Sequence, residues 1–136
     1  MQRRAFLLAT STALLLADTR QELVDLFGTM ATALSDGNAS VFLRAIDPSF
    51  PDYAKFAANV KALMSQNDLS SAIEINSQEG DDNAQTVELD WLLEIKGPTQ
   101  TIRRQAVVKC KVERRKKQWK VVSIEPADFF YPPPAK

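Results

Sequence analysis

The chain has 136 residues, with 17 basic side chains balancing 17 acidic ones, 45% apolar residues and 25% charged. These are ordinary values for one globular domain, and they exclude a disordered chain, a polytopic membrane protein and the strong positive field of a general nucleic-acid binder. The absence of His removes His-based triads, metal sites and proton shuttles, and the single Cys removes any intrachain disulfide. No metal ligand set and no cofactor motif is found.

Residues 1–17 have the pattern of an export signal. Arg3 and Arg4 precede an apolar run from Ala5 to Ala17 in which only Thr and Ser are polar. That run is shorter than the roughly 20 residues a spanning helix needs. Ala17 offers a small residue at a cleavage point, but Leu15 fits that point poorly. The segment Arg3-Arg4-Ala5-Phe6-Leu7 resembles a twin-arginine export signal, which implies recognition by export machinery through Arg3, Arg4, Phe6 and Leu7. The expected address is the periplasm, with a membrane tether if the signal stays uncleaved. The expected domain is 18–127, followed by a Pro-rich tail, 128–136.

The first helix is expected over Thr19 to Ser35, capped by Asp18 or Thr19. Leu23, Leu26, Phe27, Met30 and Leu34 form its apolar stripe, and Gly37 ends it. Asn38 caps a short helix, Ala39 to Ile46. Asp47-Pro48-Ser49-Phe50-Pro51 interrupts it, and a third helix follows over Asp52 to Gln66. The period then changes to two. Strands are expected at Ala72–Ser77, Thr86–Lys96, Ile102–Arg114 and Trp119–Glu125. The order predicts an α+β fold: three N-terminal helices packed on a curved antiparallel sheet of about four strands.

Residues 101–120 hold nine Lys or Arg against one Glu, whereas residues 68–95 hold eight acids and no base. Pairing the two long strands sets Trp91 against Val108 and Leu89 against Cys110. The same register sets Glu88 against Lys111 and Asp90 against Lys109, as cross-strand pairs on the solvent face. The charge blocks are therefore architecture rather than a nucleic-acid patch, and no nucleic-acid partner is expected. Arg114 to Lys117 remains an uncompensated basic turn.

Several segments together resemble the nuclear transport factor 2-like superfamily. They are Ser35-Asp36-Gly37-Asn38, Val41-Phe42-Leu43, Ile46-Asp47-Pro48 and the run Trp119 to Pro126. The resemblance implies a cone-shaped fold with a pocket at its open end, and homodimers built through the sheet's outer face. Fold alone does not set the activity. Phe42, Tyr53, Phe56, Trp91, Val108 and Cys110 are candidate pocket-lining residues for a small apolar ligand. Asp47 and Asp52 are candidate polar groups at the pocket mouth, with helix capping and loop closure as their ordinary roles. The leading expectation is an exported, non-catalytic domain that binds a small apolar ligand or a protein partner. An isomerase- or cyclase-like enzyme with Asp52 as base and Tyr53 as donor is a second reading. A homodimeric scaffold paired through Leu92 and Val107 is a third.

Overall fold

The computed structural model describes residues 2–134, with side chains from residue 18 onward. The export-signal residues Arg3, Arg4, Phe6 and Leu7 lie outside the residues whose side chains are described. Helix α1 runs over Gln2–Asp36, without the break expected at Asp18. No helix among the described residues is long and apolar enough to cross a membrane. At its end Gly37 takes φ +69°. There the Gly37 N–H reaches Leu34 O and the Asn38 N–H reaches Ala33 O, at 3.2 and 2.8 Å. This closure satisfies the last carbonyls of the helix and needs a residue that tolerates the left-handed region.

Asn38 then caps α2, Ala39–Arg44, by accepting the Val41 N–H at 3.1 Å. Helix α3, Tyr53–Gln66, starts differently from the expectation. Asp52 sits at φ 53° and its side chain makes no cap bond. Its backbone carbonyl accepts the Phe56 N–H instead.

Four strands follow in a simple antiparallel meander: β1 Asp68–Gly80, β2 Ala84–Lys96, β3 Thr101–Arg115 and β4 Gln118–Glu125. β1 is twice the expected element: it adds Asp68–Ser71 and Gln78–Gly80, mostly polar ends that show no apolar alternation, and a bulge falls between Ile75 and Ser77 inside the expected span. The β2–β3 register is two residues from the expected one. Trp91 faces Ala106 rather than Val108, and Leu89 faces Val108 rather than Cys110. The hairpin closes with Lys96 opposite Thr101 and the Gly97 N–H on Gln100 O, over a four-residue turn, 97–100. A two-residue slip keeps every side chain on its face, so apolar alternation alone cannot detect it.

The helices cover one face of the curved sheet, as expected. Leu23, Phe27, Met30 and Leu34 of α1 are fully buried against Val87, Leu89, Trp91 and Leu93 of β2 in one core. Residues after β4 do not form a free tail. Ala127–Phe130 is a 3-10 helix, and Phe129 and Phe130 are core residues.

Candidate functional site

The cone interior is the first place to look for a site, and its own side chains fill it. Phe42, Trp91, Val108, Cys110 and Phe130 each have 0% exposure, and Phe56 has 1%. Zero accessible surface means that no water-sized void touches those side chains. Phe130 stands at the centre, with ring centroids 4.9 Å from Trp91, 5.4 Å from Phe42 and 6.3 Å from Phe56. Phe27 meets Trp91 edge-on at 6.4 Å. The Trp91 Nε1–H donates to Ser71 Oγ at 2.8 Å, so the buried indole has its partner.

The expected pocket lining is thus core. Phe42, Phe56, Trp91, Val108 and Cys110 surround an aromatic side chain of the same molecule rather than a cavity, and Tyr53 packs half-buried against that core. Burial pushes the Cys110 thiol up to about 12, which keeps it protonated and unreactive.

Arg104 secures the closing segment. It lies half-buried on the inner face of β3, and its Nη1 donates to the carbonyls of Phe129 at 2.6 Å and Tyr131 at 2.8 Å. Desolvation lowers its pKa, partly offset by Asp128. Sequence reasoning missed Phe130 and Arg104. Three consecutive aromatics, Phe129 to Tyr131, in a chain with 8% aromatic content were the available signal.

The two candidate acids do not meet in a pocket. Asp47 is nearly buried and accepts from the Ser49 backbone N–H at 3.0 Å and from the Ser49 hydroxyl. Arg115 Nε stands 3.5 Å from its other oxygen. The Ser49 hydroxyl, then the Ser49 amide, and then the Arg115 and Lys120 charges hold its carboxyl below the usual range. This is loop closure. Asp52 is exposed.

The outer face of the sheet is sorted by charge. Glu74 of β1 and Glu88, Asp90 and Glu94 of β2 make an acidic half. Arg103, Lys109 and Lys111 of β3 make a basic half. The register sets Glu88 opposite Lys109 and Glu94 opposite Arg103, rather than Glu88 opposite Lys111 and Asp90 opposite Lys109. Asp90 instead lies opposite Val107 on one side and Glu74 on the other. A direct like-charge pair on an open sheet is unfavourable. Leu92 lies opposite Ala72 and Gln105, so Leu92 and Val107 are diagonal rather than facing neighbours. Val107 is 54% exposed.

The Arg114–Lys117 turn is less uncompensated than expected. Arg114 pairs with Glu22 at 3.2 Å and stacks 4.4 Å above the Trp119 ring. Arg115 pairs with Glu113 at 2.7 Å as well as with Asp47.

No protein-family model matches the chain, and no curated protein matches it. Solved structures do match. The chain is similar to a conserved protein from Planctomyces limnophilus DSM 3776, with TM-score 0.73 and 6% identity over 79% of this chain and 94% of that one. It is similar to the hexachlorocyclohexane dehydrochlorinase LinA-type3 from Novosphingobium barchaimii LL02, with TM-score 0.67 and 15% identity over 82% and 87%. An NTF-2-like protein of unknown function from Shewanella oneidensis MR-1 aligns with TM-score 0.58 and 14% identity over 78% and 96%. At such identities the likeness shows the fold. The chain adopts the nuclear transport factor 2-like cone, as its motifs implied.

Proposed function

We propose that this chain is an exported, non-catalytic interaction module that pairs with a second copy through the outer face of its sheet. The filled interior carries the non-catalytic part of this reading. An isomerase or cyclase needs space for substrate beside a base, and Phe130 occupies that space. The Arg3-Arg4 signal supports export.

The sorted outer face supports pairing. Two copies related by a two-fold axis would set each acidic half against the other's basic half. Ala72, Leu92 and Val107 would form the apolar centre. The Glu74–Asp90 pair then gains the cation it lacks within one chain.

Native mass spectrometry of the full chain tests both parts. The expected spectrum is a dimer without bound small molecule, which Val107→Glu and Lys109→Glu each convert to a folded monomer that melts at the temperature of the dissociated wild type. A monomer at every concentration removes the pairing. A small molecule retained in stoichiometric amount and lost on Phe42→Trp, which crowds the interior, removes the filled cone.

A further inference from the structure

A second concave surface lies outside the cone, where α1, α2 and the β3–β4 turn meet. It begins as a hollow of about 370 Å³ beside Trp119. It continues along α1 towards Asp36 as a second hollow of about 570 Å³, sharing Asp25, Thr29 and Val41 with the first. Between Glu22 and Asp36 the helix rises roughly 20 Å, which sets the length of the groove.

Its floor is apolar at the Trp119 end, while Thr29, Thr32, Asn38 and the carboxylate of Asp36 line the far hollow. Leu26 and Val41 are half-buried, and Ala45 and Trp119 are buried beneath it. Val24 lines the far hollow and is 40% exposed. Gly28 leaves the channel open: a Cβ built there meets no atom within 4 Å.

One end is cationic. Arg44, Lys117 and Lys120 line it. Arg44 is positioned by the junction of α2 with β4, where the Asp47 N–H bonds Val121 O and the Val121 N–H bonds Ala45 O, both at 2.8 Å. Lys120 Nζ donates to Arg44 O at 2.6 Å, which fixes the lysine at the rim.

Two carboxylates also line this end. Glu22 is already matched by Trp119 Nε1 and Arg114 Nη2, each at 3.2 Å. Asp25 accepts from Gln21 Nε2 at 2.9 Å and is the remaining acid. The rim keeps a net positive charge.

The turn that carries Lys117 is strained. Lys116 and Lys117 take φ 50° and 71°, in a two-residue hairpin turn where Asn and Gly are the favoured residues. Unfavourable backbone kept at a charged tip points to a use for that charge.

The geometry points to a binding site for an anionic amphiphile, its acid group on Arg44, Lys117 and Lys120 and its apolar chain over Leu26, Val41 and Gly28. This site is separate from the outer sheet face and stands or falls without the pairing.

The test titrates the full chain by calorimetry with sodium dodecanoate and, separately, dodecanol, both below micelle-forming concentrations. Phosphatidylglycerol vesicles, with phosphatidylcholine vesicles as control, are sedimented with the chain in parallel. Saturable binding of one dodecanoate per chain is expected, with dodecanol weaker by about tenfold or more. The double variant Arg44→Glu, Lys117→Glu should lose about tenfold or more in affinity. Gly28→Leu fills the open channel and should abolish uptake without lowering the melting temperature, since Leu favours a helix more than Gly. Dodecanoate uptake without sedimentation identifies a free amphiphile. Sedimentation with phosphatidylglycerol alone, lost in the same variants, identifies a membrane lipid headgroup. The first supports the site, and the second, which leaves the apolar chain in the bilayer and the groove empty, overturns it. Equal affinity for dodecanol, undiminished binding by Gly28→Leu, or no response to either probe overturns it.

Discussion

The cone interior and the groove along α1 have similar ingredients and opposite outcomes. Each has an aromatic and aliphatic wall, and each has cationic groups at one end. Inside, Arg104 grips the carbonyls of Phe129 and Tyr131, and Phe130 occupies the space those contacts frame. Outside, the groove holds no segment of the described chain, and Gly28 keeps its middle clear. The difference is covalent economy. Where the chain supplies its own occupant, a conserved scaffold shape becomes a solid core. Where it supplies none, a concave surface stays open to something else.

The sharpest way to break this contrast is to remove the occupant. Phe130→Ala should destabilise the domain by about 3–5 kcal/mol, the usual range for a fully buried Phe. Chemical denaturation measures this, and toluene should recover part of the loss by entering the new apolar cavity, as apolar ligands do elsewhere. A loss below about 1 kcal/mol would mean that Phe130 is not packed as described.

Acid should separate the two regions. The described interior holds no carboxylate, whereas Glu22 braces the groove wall and Asp47 closes the loop beside it. Trp119 and then Arg114 hold Glu22 below its ordinary value, and Ser49 does the same for Asp47. A depressed folded-state pKa contributes stability that is present above the unfolded value, near 4, and lost as pH falls through the folded value. Hydrogen exchange between pH 6 and pH 3 should therefore expose the β3–β4 turn and the Asp47 loop before β2 (both pH values roughly bracketing the carboxylate range). Glu22→Gln should flatten the response at the turn.

The smallest expected effect sharpens the contrast most. Lys117→Gly relieves a left-handed backbone and should raise stability by up to about 1 kcal/mol. It also removes a rim cation, so amphiphile binding should weaken while the melting temperature rises. Stability and binding moving in opposite directions would mark the turn as kept for its charge.

How much of this could be read from the sequence depends on the kind of signal each element leaves. The α1 stripe and the alternation of β2 follow from periodicity: Leu23, Phe27, Met30 and Leu34 are buried with Val87, Leu89, Trp91, Leu93 and Ile95, and Leu26 is half-buried at the edge of the stripe. The fold class followed from their order. The β2–β3 register did not, because slipping by two residues leaves both faces unchanged; the ladder, closed by the Gly97 N–H on Gln100 O, distinguishes the two pairings. The β1 ends were hidden because Asp68, Ser70, Ser71, Gln78 and Glu79 leave no apolar alternation to read. The candidate site was legible in composition but not in role. Phe42, Phe56 and Trp91 are buried, yet whether such residues line a space or fill it depends on Phe130, which lies in a 3-10 turn without periodicity. The groove left even less trace, since it is made by three distant segments and by the missing side chain of Gly28.

The position of the closing segment also bears on how the molecule is assembled. Phe130 follows every helix and strand it packs against, so the contacts that complete the core join segments far apart in sequence. Such contacts form slowly, after chain-closure entropy has been overcome. Until Ala127–Phe130 is available, Trp91 and Phe42 lack their central neighbour, and a partly made chain presents a greasy concavity suited to a holding chaperone. Completion of the core is thereby tied to the last turn among the described residues, which acts as a latch on folding itself.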